Sequence, residues 1–368
     1  MRSEDQNINY EKYMRIAIAL AKKAEGRTSP NPMVGAVIVK NGRIVGRGYH
    51  RRAGLPHAEI EALSEAGPNA RGAVMFVTLE PCDHFGRTPP CTDAVIKSGI
   101  KKVVMGMKDP NPLNNGAGAK RLKARGIKTV TGVLEEDVRR MNRPFIKYVT
   151  KKMPYVIVKL AETLDGKIAT RAGDSRWISS PRSRLLVRNM RSMADAVMVG
   201  ANTVINDDPS LLTKIPGARQ PARIIVDSRL RSPVRSKVFG GAGVSPVLVA
   251  VTARASAKKA GILKERGVEI VKTASLGGRV DLKDLLRKLA ARGIINILVE
   301  GGGELAWSLA DKKLADKFVF FIAPMIVGGR KAVPSVGGSG VVRLSDAITF
   351  RSVRVRMSGP DIMVEAEV

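Results

Sequence analysis

Four side chains in the first quarter of the sequence have the types and spacing of a metal site that activates water. His57 and Glu59 are separated by one residue, and the chain's two cysteines, Cys82 and Cys91, follow in the segment PCDHFGRTPPC. One imidazole and two thiolates leave a fourth position open on a tetrahedral zinc ion, as in catalytic sites. Zinc lowers the pKa of a bound water toward ~7, and Glu59 can carry its proton to a leaving amine. The pattern predicts hydrolytic deamination at a zinc held by His57, Cys82 and Cys91.

Two alternatives for these residues stay open on the sequence alone. A Cys82–Cys91 disulfide would use both thiols, although two cysteines in so long a chain are too few for a disulfide scaffold. His50 and His84 are the other two histidines. Either one could contact a substrate or make an ordinary loop hydrogen bond.

The elements expected to position these side chains alternate between strand and helix. Apolar residues recur at helical spacing over Tyr10–Ala21, and two β-branched runs flank Asn41-Gly42, a pair typical of a hairpin turn. HAEIEALSEA predicts a helix beginning near His57, and AVMFVTLE predicts a buried strand before Cys82. A further helix is predicted over Cys91–Lys97. This alternation favours an α/β sheet flanked by helices.

The length of 368 residues favours two domains, each large enough to bury its own core. After the helical stretch EEDVRRMNRPFIKYVTKK, Pro154 breaks the pattern and a new apolar strand begins, so we expect domains at 1–148 and 149–368. The C-terminal segment predicts an antiparallel hairpin around Ser-Gly-Pro. Other strands of the second α/β domain are predicted at AVMVG (196–200), RIIVD (223–227), VLVAV (247–251) and NILVE (296–300).

Composition argues against several classes of protein. Hydrophobic residues make up 44% of the chain and charged residues 26%, which is typical of a soluble globular protein. The apolar run Phe318–Val327 is interrupted by Pro324 and is too short to span a bilayer, and the N-terminus lacks a signal-peptide pattern. We therefore expect a cytoplasmic protein without a membrane segment. The formal charge is +30, but the basic residues form no block and aromatic residues are only 4%. We interpret this charge as a solvated surface that attracts phosphorylated small molecules, with nucleic acid not favoured.

The eight residues between the two cysteines narrow the choice among families of zinc deaminases. Zinc deaminases of bases and nucleic acids carry P-C-x-x-C, with two residues in that gap. The insert DHFGRTPP instead resembles the bifunctional deaminase-reductase of riboflavin biosynthesis. The same resemblance is carried by SPNPMVGAVIV (29–39), GYH (48–50), HAE (57–59), TLEPC (78–82) and KDPNP (108–112). LNNGAG, which follows KDPNP, differs from the family's usual small-residue pattern.

This resemblance implies a cytidine-deaminase-like α/β/α first domain with Glu59 as its catalytic residue. Its substrate would be 2,5-diamino-6-(5-phosphoribosylamino)pyrimidin-4(3H)-one, which loses its 2-amino group as ammonia. Asn31, in a turn flanked by prolines, matches the family's substrate-contacting asparagine, and a turn-forming role is the alternative. The insert also places Arg87 beside the expected metal.

The second half resembles the reductase half of the same family, whose fold is similar to dihydrofolate reductase. NILVEGGGELAWSLA reads as strand, glycine turn and helix, where backbone N–H groups can approach a pyrophosphate. Alone this signal is weak, because it lacks the G-x-G-x-x-G spacing. The resemblance also rests on LAETLDGKIAT (160–170), DSRWIS (174–179), VGANTVINDDPSLLT (199–213) and RIIVDS (223–228). It implies hydride transfer from NADPH to the ribose C1′ of the deaminated product.

Individual site residues of the second half follow from the resemblance. Those expected to line NADPH are Ala161, Trp177, Thr203, Asp207, Ser228, Gly301, Gly302 and Gly303. Those expected to hold the substrate are Ser175, Arg191, Leu211, Lys214 and Glu300. Arg191 suits the 5-phosphate because a guanidinium binds phosphate bidentately, whereas a helix-surface arginine is the alternative. Lys214 stands where the family commonly has another arginine.

The leading hypothesis is therefore a bifunctional enzyme of flavin synthesis that uses Zn²⁺ and NADPH, acts on a phosphorylated pyrimidine and forms a homo-oligomer. One alternative is a zinc deaminase of nucleic-acid bases, motivated by the charge of +30. Others are a basic nucleic-acid-binding protein with a structural zinc, and a deaminase whose reductase half is degenerate.

Overall fold

The computed structural model describes residues 9–85 and 89–368, which form two compact units, Met1–Lys152 and Met153–Val368. The division follows Lys152 rather than residue 148, because the helix Arg143–Lys151 belongs to the first unit and Lys152, whose φ is 54°, is its C-cap. No helix in the described ranges combines the length and the apolar character that crossing a membrane requires. Arg87 of the insert lies outside the described residues.

The first unit is a five-stranded sheet with helices packed on it. Its described elements are α1 (Tyr10–Lys22), β1 (Gly35–Lys40), β2 (Arg43–Tyr49), α2 (Ala58–Ala66), β3 (Val74–Leu79), α3 (Cys91–Lys97), β4 (Lys102–Met107), α4 (Ala117–Ala124), β5 (Lys128–Thr131), α5 (Glu135–Met141) and α6 (Arg143–Lys151). The strand order is β2-β1-β3-β4-β5. β1 runs antiparallel to β2 and β3, whereas β3, β4 and β5 are parallel.

Local sequence explains how this unit begins. The predicted hairpin forms β1 and β2, and both of its turn residues, Asn41 and Gly42, have positive φ, as a two-residue turn requires. The apolar stripe of α1 packs on the sheet at Gly35, where an added Cβ would lie 2.0 Å from the carbonyl oxygen of Ala17. Only a glycine permits this close approach of helix and strand.

The helix expected over residues 135–152 is broken in two. α5 ends at Met141 and α6 begins at Arg143, because Pro144 has no N–H to continue the ladder. Asn142, between them, accepts from the Met33 N–H at 2.8 Å and donates to the Met33 carbonyl at 3.0 Å. The break therefore holds the turn that precedes β1.

The second unit is built on a nine-stranded sheet. Its elements are β6 (Tyr155–Thr163), β7 (Lys167–Ala169), α7 (Pro181–Met193), β8 (Ala196–Gly200), α8 (Ala201–Asp207), β9 (Ala222–Val226), β10 (Val247–Val251), α9 (Ala257–Glu265), β11 (Glu269–Lys272), β12 (Ser275–Leu276), β13 (Arg279–Val280), α10 (Leu282–Ala290), β14 (Asn296–Glu300), α11 (Gly303–Asp311), β15 (Lys317–Ala323), β16 (Val333–Pro334), β17 (Ser352–Ser358) and β18 (Asp361–Glu367). The large sheet has the order β11-β10-β9-β8-β14-β6-β15-β18-β17.

The topology places functional loops along one edge of this sheet. β9, β8, β14 and β6 are consecutive neighbours and all parallel, so their carboxyl ends meet at the same edge. α10 and α11 cover one face, with Leu286 and Leu309 in the core, while Val204 of α8 and Leu263 of α9 pack on the other. The predicted C-terminal hairpin forms the antiparallel strands β17 and β18. The predicted α/β class is confirmed in both units.

Candidate active sites

The predicted metal ligands converge in the first unit. His57 caps the start of α2, Cys82 follows β3, and Cys91 is the first residue of α3. Nδ1 of His57 lies 3.2 Å from Sγ of Cys91 and 3.6 Å from Sγ of Cys82, and all three donor atoms lie within 4.8 Å of one another. Zinc bonds of ordinary length at a tetrahedral angle put nitrogen and sulfur ligands about 3.6 Å apart. The three donors therefore fit zinc, and both cysteines are free thiols rather than a disulfide.

Electrostatics at the two thiols favours a thiolate. The pKa of Cys82 falls to about 4, because the Cys91 thiol and the His57 imidazole hydrogen-bond to its sulfur and outweigh burial. The pKa of Cys91 rises, because it donates to the Cys82 thiolate and is buried. The pKa of His57 also rises, chiefly through its hydrogen bond to Cys82. A cation is therefore the natural partner for this donor set, since it would favour deprotonation of both thiols.

Glu59 lies in the first turn of α2 and is only 3% exposed. Burial raises the pKa of its carboxyl group to about 7, and the nearby Cys82 thiolate acts in the same direction. A carboxyl group whose pKa lies near neutrality can both accept and release a proton at physiological pH. Its environment thus suits proton transfer.

A cavity of about 340 Å³ opens onto these residues. Its lining includes Asn31 and His50, whose side chains pair at 3.1 Å between Nδ2 and Nε2. His50 donates from Nδ1 to the Pro56 carbonyl at 3.1 Å, and burial lowers its pKa, so it is the neutral tautomer that accepts from Asn31. His84 also lines the cavity, and its Nδ1 is buried without a hydrogen-bond partner among the described residues.

The second constellation lies along the carboxyl edge of the large sheet. Ser228 follows β9, Thr203 lies in α8 directly after β8, the glycines 301–303 follow β14, and Ala161 lies near the end of β6. Their spatial order is that of the neighbouring strands. Extended ligands bind across the carboxyl ends of parallel strands in such sheets. The residues expected to line NADPH are therefore arranged as a continuous row.

The glycine turn and α8 approach each other in this row. Gly301 and Gly302 have φ values of 72° and 80°, which side-chain-bearing residues rarely adopt. A Cβ on either glycine would lie 3.3 Å from the Thr203 hydroxyl oxygen. Gly303 begins α11, whose first backbone N–H groups point toward the turn. The turn therefore offers donors for a pyrophosphate, which fits a dinucleotide.

Arg191 and Glu300 are paired rather than separate. The Arg191 guanidinium donates from Nε to Oε1 of Glu300 at 2.5 Å and from Nη2 to Oε2 at 2.9 Å, and its Nη1 donates to the Leu212 carbonyl. Lys159 Nζ lies 3.6 Å from Oε2 of the same carboxylate. Burial alone would raise the pKa of Glu300, but Arg191 and Lys159 lower it to about 2. Arg191 is thus anchored in the fold and is not a mobile surface arginine.

The other residues expected to form the reductase site differ in their burial and in their contacts. Ser175 donates to Oδ1 of Asp207 at 2.9 Å, so these two come together. Leu211 is 2% exposed and has a φ of 59°, and Lys214 is exposed. Trp177 is 68% exposed, and its ring stacks with the Arg184 guanidinium at 4.6 Å. Trp177 and Lys214 are therefore both placed at the surface of the second unit.

Two protein families match the chain, one over each unit. The cytidine and deoxycytidylate deaminase zinc-binding region matches residues 7–107, and the RibD C-terminal domain matches residues 154–364. The riboflavin biosynthesis protein RibD of Aquifex aeolicus is 44% identical over 353 residues, which cover 96% of each chain. That of Escherichia coli is 38% identical over 362 residues, covering 96% of this chain and 97% of the relative.

Solved structures agree over the same length. Acinetobacter baumannii RibD superposes with a TM-score of 0.87 at 34% identity, and the Thermotoga maritima diaminohydroxyphosphoribosylaminopyrimidine deaminase/5-amino-6-(5-phosphoribosylamino)uracil reductase with 0.86 at 40% identity. Each comparison covers 97% of this chain and 98% of the other. The chain belongs to the RibD family.

As a RibD-family member, the chain is a bifunctional enzyme of riboflavin biosynthesis, with a deaminase domain and a reductase domain. Its cofactors are Zn²⁺ and NADPH, and it acts on a small-molecule substrate. The expected cytidine-deaminase-like and dihydrofolate-reductase-like folds, the enzyme class and the cofactors are confirmed. The matches favour this function over nucleic-acid base deamination.

Sequence reasoning missed several residues of these RibD-type sites. Lys159 could have been found, because strand alternation puts it on the same face of β6 as Ala161, two residues later. Asp109 and Asn111 line the deaminase cavity, and their place in the KDPNP segment (108–112) is the signal that could have found them. Arg121, whose Nη1 lies 2.7 Å from Oδ1 of Asp83 next to Cys82, had no detectable signal, since a lysine- and arginine-rich helix is ordinarily a solvated surface.

Proposed function

We propose that the chain hydrolyses the 2-amino group of 2,5-diamino-6-(5-phosphoribosylamino)pyrimidin-4(3H)-one and then reduces the ribosyl side chain to give 5-amino-6-(5-phosphoribitylamino)uracil. The Thermotoga maritima relative carries the names of both activities, and this chain matches it over 97% of its length. The observation that carries the proposal is the buried Glu59 beside a three-donor site that opens on a cavity.

In the deaminase, His57, Cys82 and Cys91 hold zinc, and Glu59 is the catalytic residue. Zinc supplies a water acidic enough to be deprotonated near neutral pH. Glu59 would accept a proton from the water whose oxygen bonds to the ring carbon, and would return a proton to the amino nitrogen as the C–N bond breaks, so that ammonia leaves as a neutral molecule. Its burial keeps bulk water from competing for that proton.

Asn31 binds the pyrimidine in this proposal, and His50 orients the side chain of Asn31. Because neutral His50 accepts from Nδ2 of Asn31, the amide plane of Asn31 is fixed at the cavity wall. A fixed amide can distinguish donor from acceptor positions on a ring edge. This gives Asn31 a binding role in addition to its position in a turn.

In the reductase, NADPH supplies the hydride. The row formed by Ala161, Thr203, Ser228 and the glycines 301–303 binds it, while Trp177 and Asp207 complete the cofactor site. Asp207 is held by the Ser175 hydroxyl, so its carboxylate keeps one orientation. Ser175 and Asp207 together can then orient both the cofactor and the sugar.

Ser175, Arg191, Leu211, Lys214 and Glu300 hold the substrate in this proposal. Three of the five N–H donors of Arg191 are used by Glu300 and Leu212. Its two remaining N–H groups are available to a phosphate, whose geometry a planar guanidinium fits. Exposed Lys214 adds a second positive charge that can move to meet it.

We also propose that the chain forms a homo-oligomer through β17. Val353, Val355 and Met357 alternate along this edge strand and are 54%, 65% and 62% exposed. An exposed apolar edge strand is a site for pairing with another chain. Light scattering should show an oligomer for the unmodified chain and a monomer for Val355→Asp, while Arg354→Ser, on the opposite face, should leave the oligomer intact. A wild-type monomer contradicts this.

A cytoplasmic location and a small phosphorylated partner complete the proposal. Two reduced thiols are needed as ligands, and cytosolic redox conditions keep them reduced. The net charge of +30 attracts phosphorylated pyrimidines without a concentrated nucleic-acid surface. RNA binding that persists at high salt would contradict this view of the charge.

The direct test supplies the diaminopyrimidine phosphoriboside to zinc-loaded protein and follows ammonia release and then NADPH oxidation. We expect both, with NADPH oxidation requiring prior deamination unless the deaminated compound is given. Ammonia release without NADPH oxidation on either compound would leave a deaminase with a degenerate reductase half. Absence of both activities would overturn the proposal.

A further inference from the structure

Each cysteine of the metal site is followed by a carboxylate, and both carboxylates bind one guanidinium. Asp83 directly follows Cys82, and its Oδ1 lies 2.7 Å from Nη1 of Arg121. Asp93 follows Cys91 by two residues, and its Oδ1 lies 2.6 Å from Nη2 of the same side chain. Arg121 therefore joins the two chain segments that carry the thiols.

The position of Arg121 is itself fixed, because α4 is tied to the segment before Cys82. The buried carboxylate of Glu80 accepts from the backbone N–H groups of Asp109, Gly116 and Ala119 at 2.9–3.0 Å. A Cβ on Gly118 would lie 2.1 Å from the Pro81 carbonyl oxygen, so helix and loop are in direct contact. Arg121 extends from an anchored helix.

Asn114, in the loop before α4, holds the two peptide groups that flank Cys82. It is 2% exposed, donates to the Pro81 carbonyl at 3.3 Å and accepts from the Asp83 N–H at 2.9 Å. Thr92 connects the other cysteine segment, since its hydroxyl donates to Oδ1 of Asp83 at 2.7 Å and its N–H donates to the Cys82 carbonyl at 3.3 Å. These bonds leave little freedom for either sulfur.

We propose that Arg121 is a positioning residue for the zinc ligands: it fixes the separation of the Cys82 and Cys91 segments so that both sulfurs face the metal. This rests on the proposed assignment of Cys82 and Cys91 as ligands. Outer partners that orient metal ligands change metal affinity by about 10–100-fold when removed. A guanidinium is suited to this role because its planar fork can bind two carboxylates at once. The ammonium group of a lysine would hold the two carboxylates less rigidly.

An ordinary surface ion pair would not have this effect. Exposed pairs contribute little to stability, because both side chains lose entropy and water screens them. Arg121 differs from such a pair because it bridges two chain segments. All three side chains are also partly buried, with exposed fractions of 35% for Arg121, 16% for Asp83 and 33% for Asp93. Its effect should therefore appear in metal retention more than in the stability of the fold.

The test compares zinc loss from the zinc-loaded full chain of Arg121→Met with that of wild type, using a chromogenic chelator. We expect loss to be about ten-fold faster in Arg121→Met, with an intermediate rate for Arg121→Lys. In Co²⁺-substituted protein, the thiolate-to-metal absorption band should shift in Arg121→Met. NADPH oxidation on the deaminated compound should be unchanged, which reports that the second unit is folded and unaffected. Arg139→Met is the matched control, since Arg139 pairs with Glu135 at 2.7 Å on α5.

Zinc loss from Arg121→Met less than about three-fold faster than from Arg139→Met would overturn the proposal, since outer partners of metal ligands act at 10–100-fold. Should Arg121→Met fail to fold, Asp93→Asn weakens the same bridge at its other end and is judged by the same threshold. Cys91→Ser separates the two levels of inference. It should lose stoichiometric zinc, and full zinc retention there would overturn the ligand assignment together with the role of Arg121.

Discussion

Glu59 and Glu300 are both nearly fully buried, yet their pKa values move in opposite directions. Burial raises the pKa of Glu59 to about 7, the nearby Cys82 thiolate adds to the rise, and the charge of His57 offsets only part of it. The pKa of Glu300 falls to about 2, because Arg191 and Lys159 outweigh a similar burial. Burial alone thus does not decide the protonation of a carboxyl group; the charge of its neighbours does.

This contrast corresponds to two kinds of active site. The deaminase must move protons, so it keeps one carboxyl group poised between protonated and ionised forms. The reductase receives its reactive hydrogen from a cofactor, so its protein groups mainly orient. A permanently ionised carboxylate in an ion-paired network suits that task. The difference predicts which substitutions damage chemistry and which damage structure.

Glu59→Gln should produce the largest effect. The amide keeps the size of the side chain but cannot shuttle a proton, so ammonia release should fall about a thousand-fold. Zinc content and NADPH oxidation on the deaminated compound should stay at wild-type levels. Glu65→Gln, an exposed residue on the same helix that pairs with Arg47, is the control and should keep full activity. Retention of more than a tenth of the ammonia release by Glu59→Gln would exclude its catalytic role.

Glu300→Gln should lower the free energy of unfolding, in addition to weakening the substrate site that Glu300 helps to form. A folded-state pKa of about 2 against an ordinary value of 4.5 corresponds to ~3 kcal/mol of stabilisation by the ionised form. Because the folded-state pKa is depressed, this stabilisation is complete above pH ~4.5 and is lost as the pH falls toward 2. The difference between wild type and Glu300→Gln should therefore be constant from pH 7 to pH 5 and shrink below that.

Denaturant unfolding followed by tryptophan fluorescence measures this difference, because both tryptophans, Trp177 and Trp307, lie in the second unit. Glu269→Gln is the control, since its pair with Arg292 is exposed and should contribute less than ~1 kcal/mol. A difference that stays the same from pH 7 to pH 3 would show that Glu300 does not titrate as its ion pairs require.

The sequence predicted the deaminase site more completely than the reductase site, and the reason is physical. A zinc site needs particular donor types at short range, so His57, Cys82 and Cys91 can be recognised by type and spacing. The network around Glu300 joins Lys159 and Arg191 from two other elements, and only the folded sheet brings them together. A lysine or arginine has no distinctive spacing before that contact is known.

The same limit applies to local structure. The Asn41-Gly42 turn and the strands at 196–200 and 296–300 were predicted correctly, because turn chemistry and apolar runs act locally. The break at Asn142 was missed, because a long-range contact with Met33 adds to the effect of Pro144. Tertiary contacts decide such cases, and helical periodicity alone does not reveal them.

Gly303→Ala tests the shape of the reductase row. Its Cβ would lie 2.8 Å from the Gly337 nitrogen and 2.9 Å from the Pro334 oxygen, so backbone must move. Such overpacking costs about 1–3 kcal/mol. We therefore expect the affinity for NADPH, measured by titration, to fall about ten-fold, and ammonia release to be unaffected. Gly261→Ala on α9 has open space and should bind NADPH normally. Equal NADPH affinity in both variants would remove the glycine turn from the cofactor site.

Ser175→Ala should have the smallest effect. It tests directly whether the protein groups of the reductase orient the reactants rather than take part in the chemistry. It removes one hydrogen bond, from Oγ to Oδ1 of Asp207 at 2.9 Å, while leaving the charge of Asp207 in place. A hydrogen bond of this kind contributes ~1 kcal/mol, so kcat/KM for NADPH oxidation should fall about five-fold. Ser192→Ala, whose hydroxyl donates to the Asn189 carbonyl of its own helix, should change kcat/KM less than two-fold. A loss as large as that of Glu59→Gln would mean that Ser175 takes part in proton transfer, and that the reductase, like the deaminase, depends on one reactive side chain rather than on many small orienting contacts.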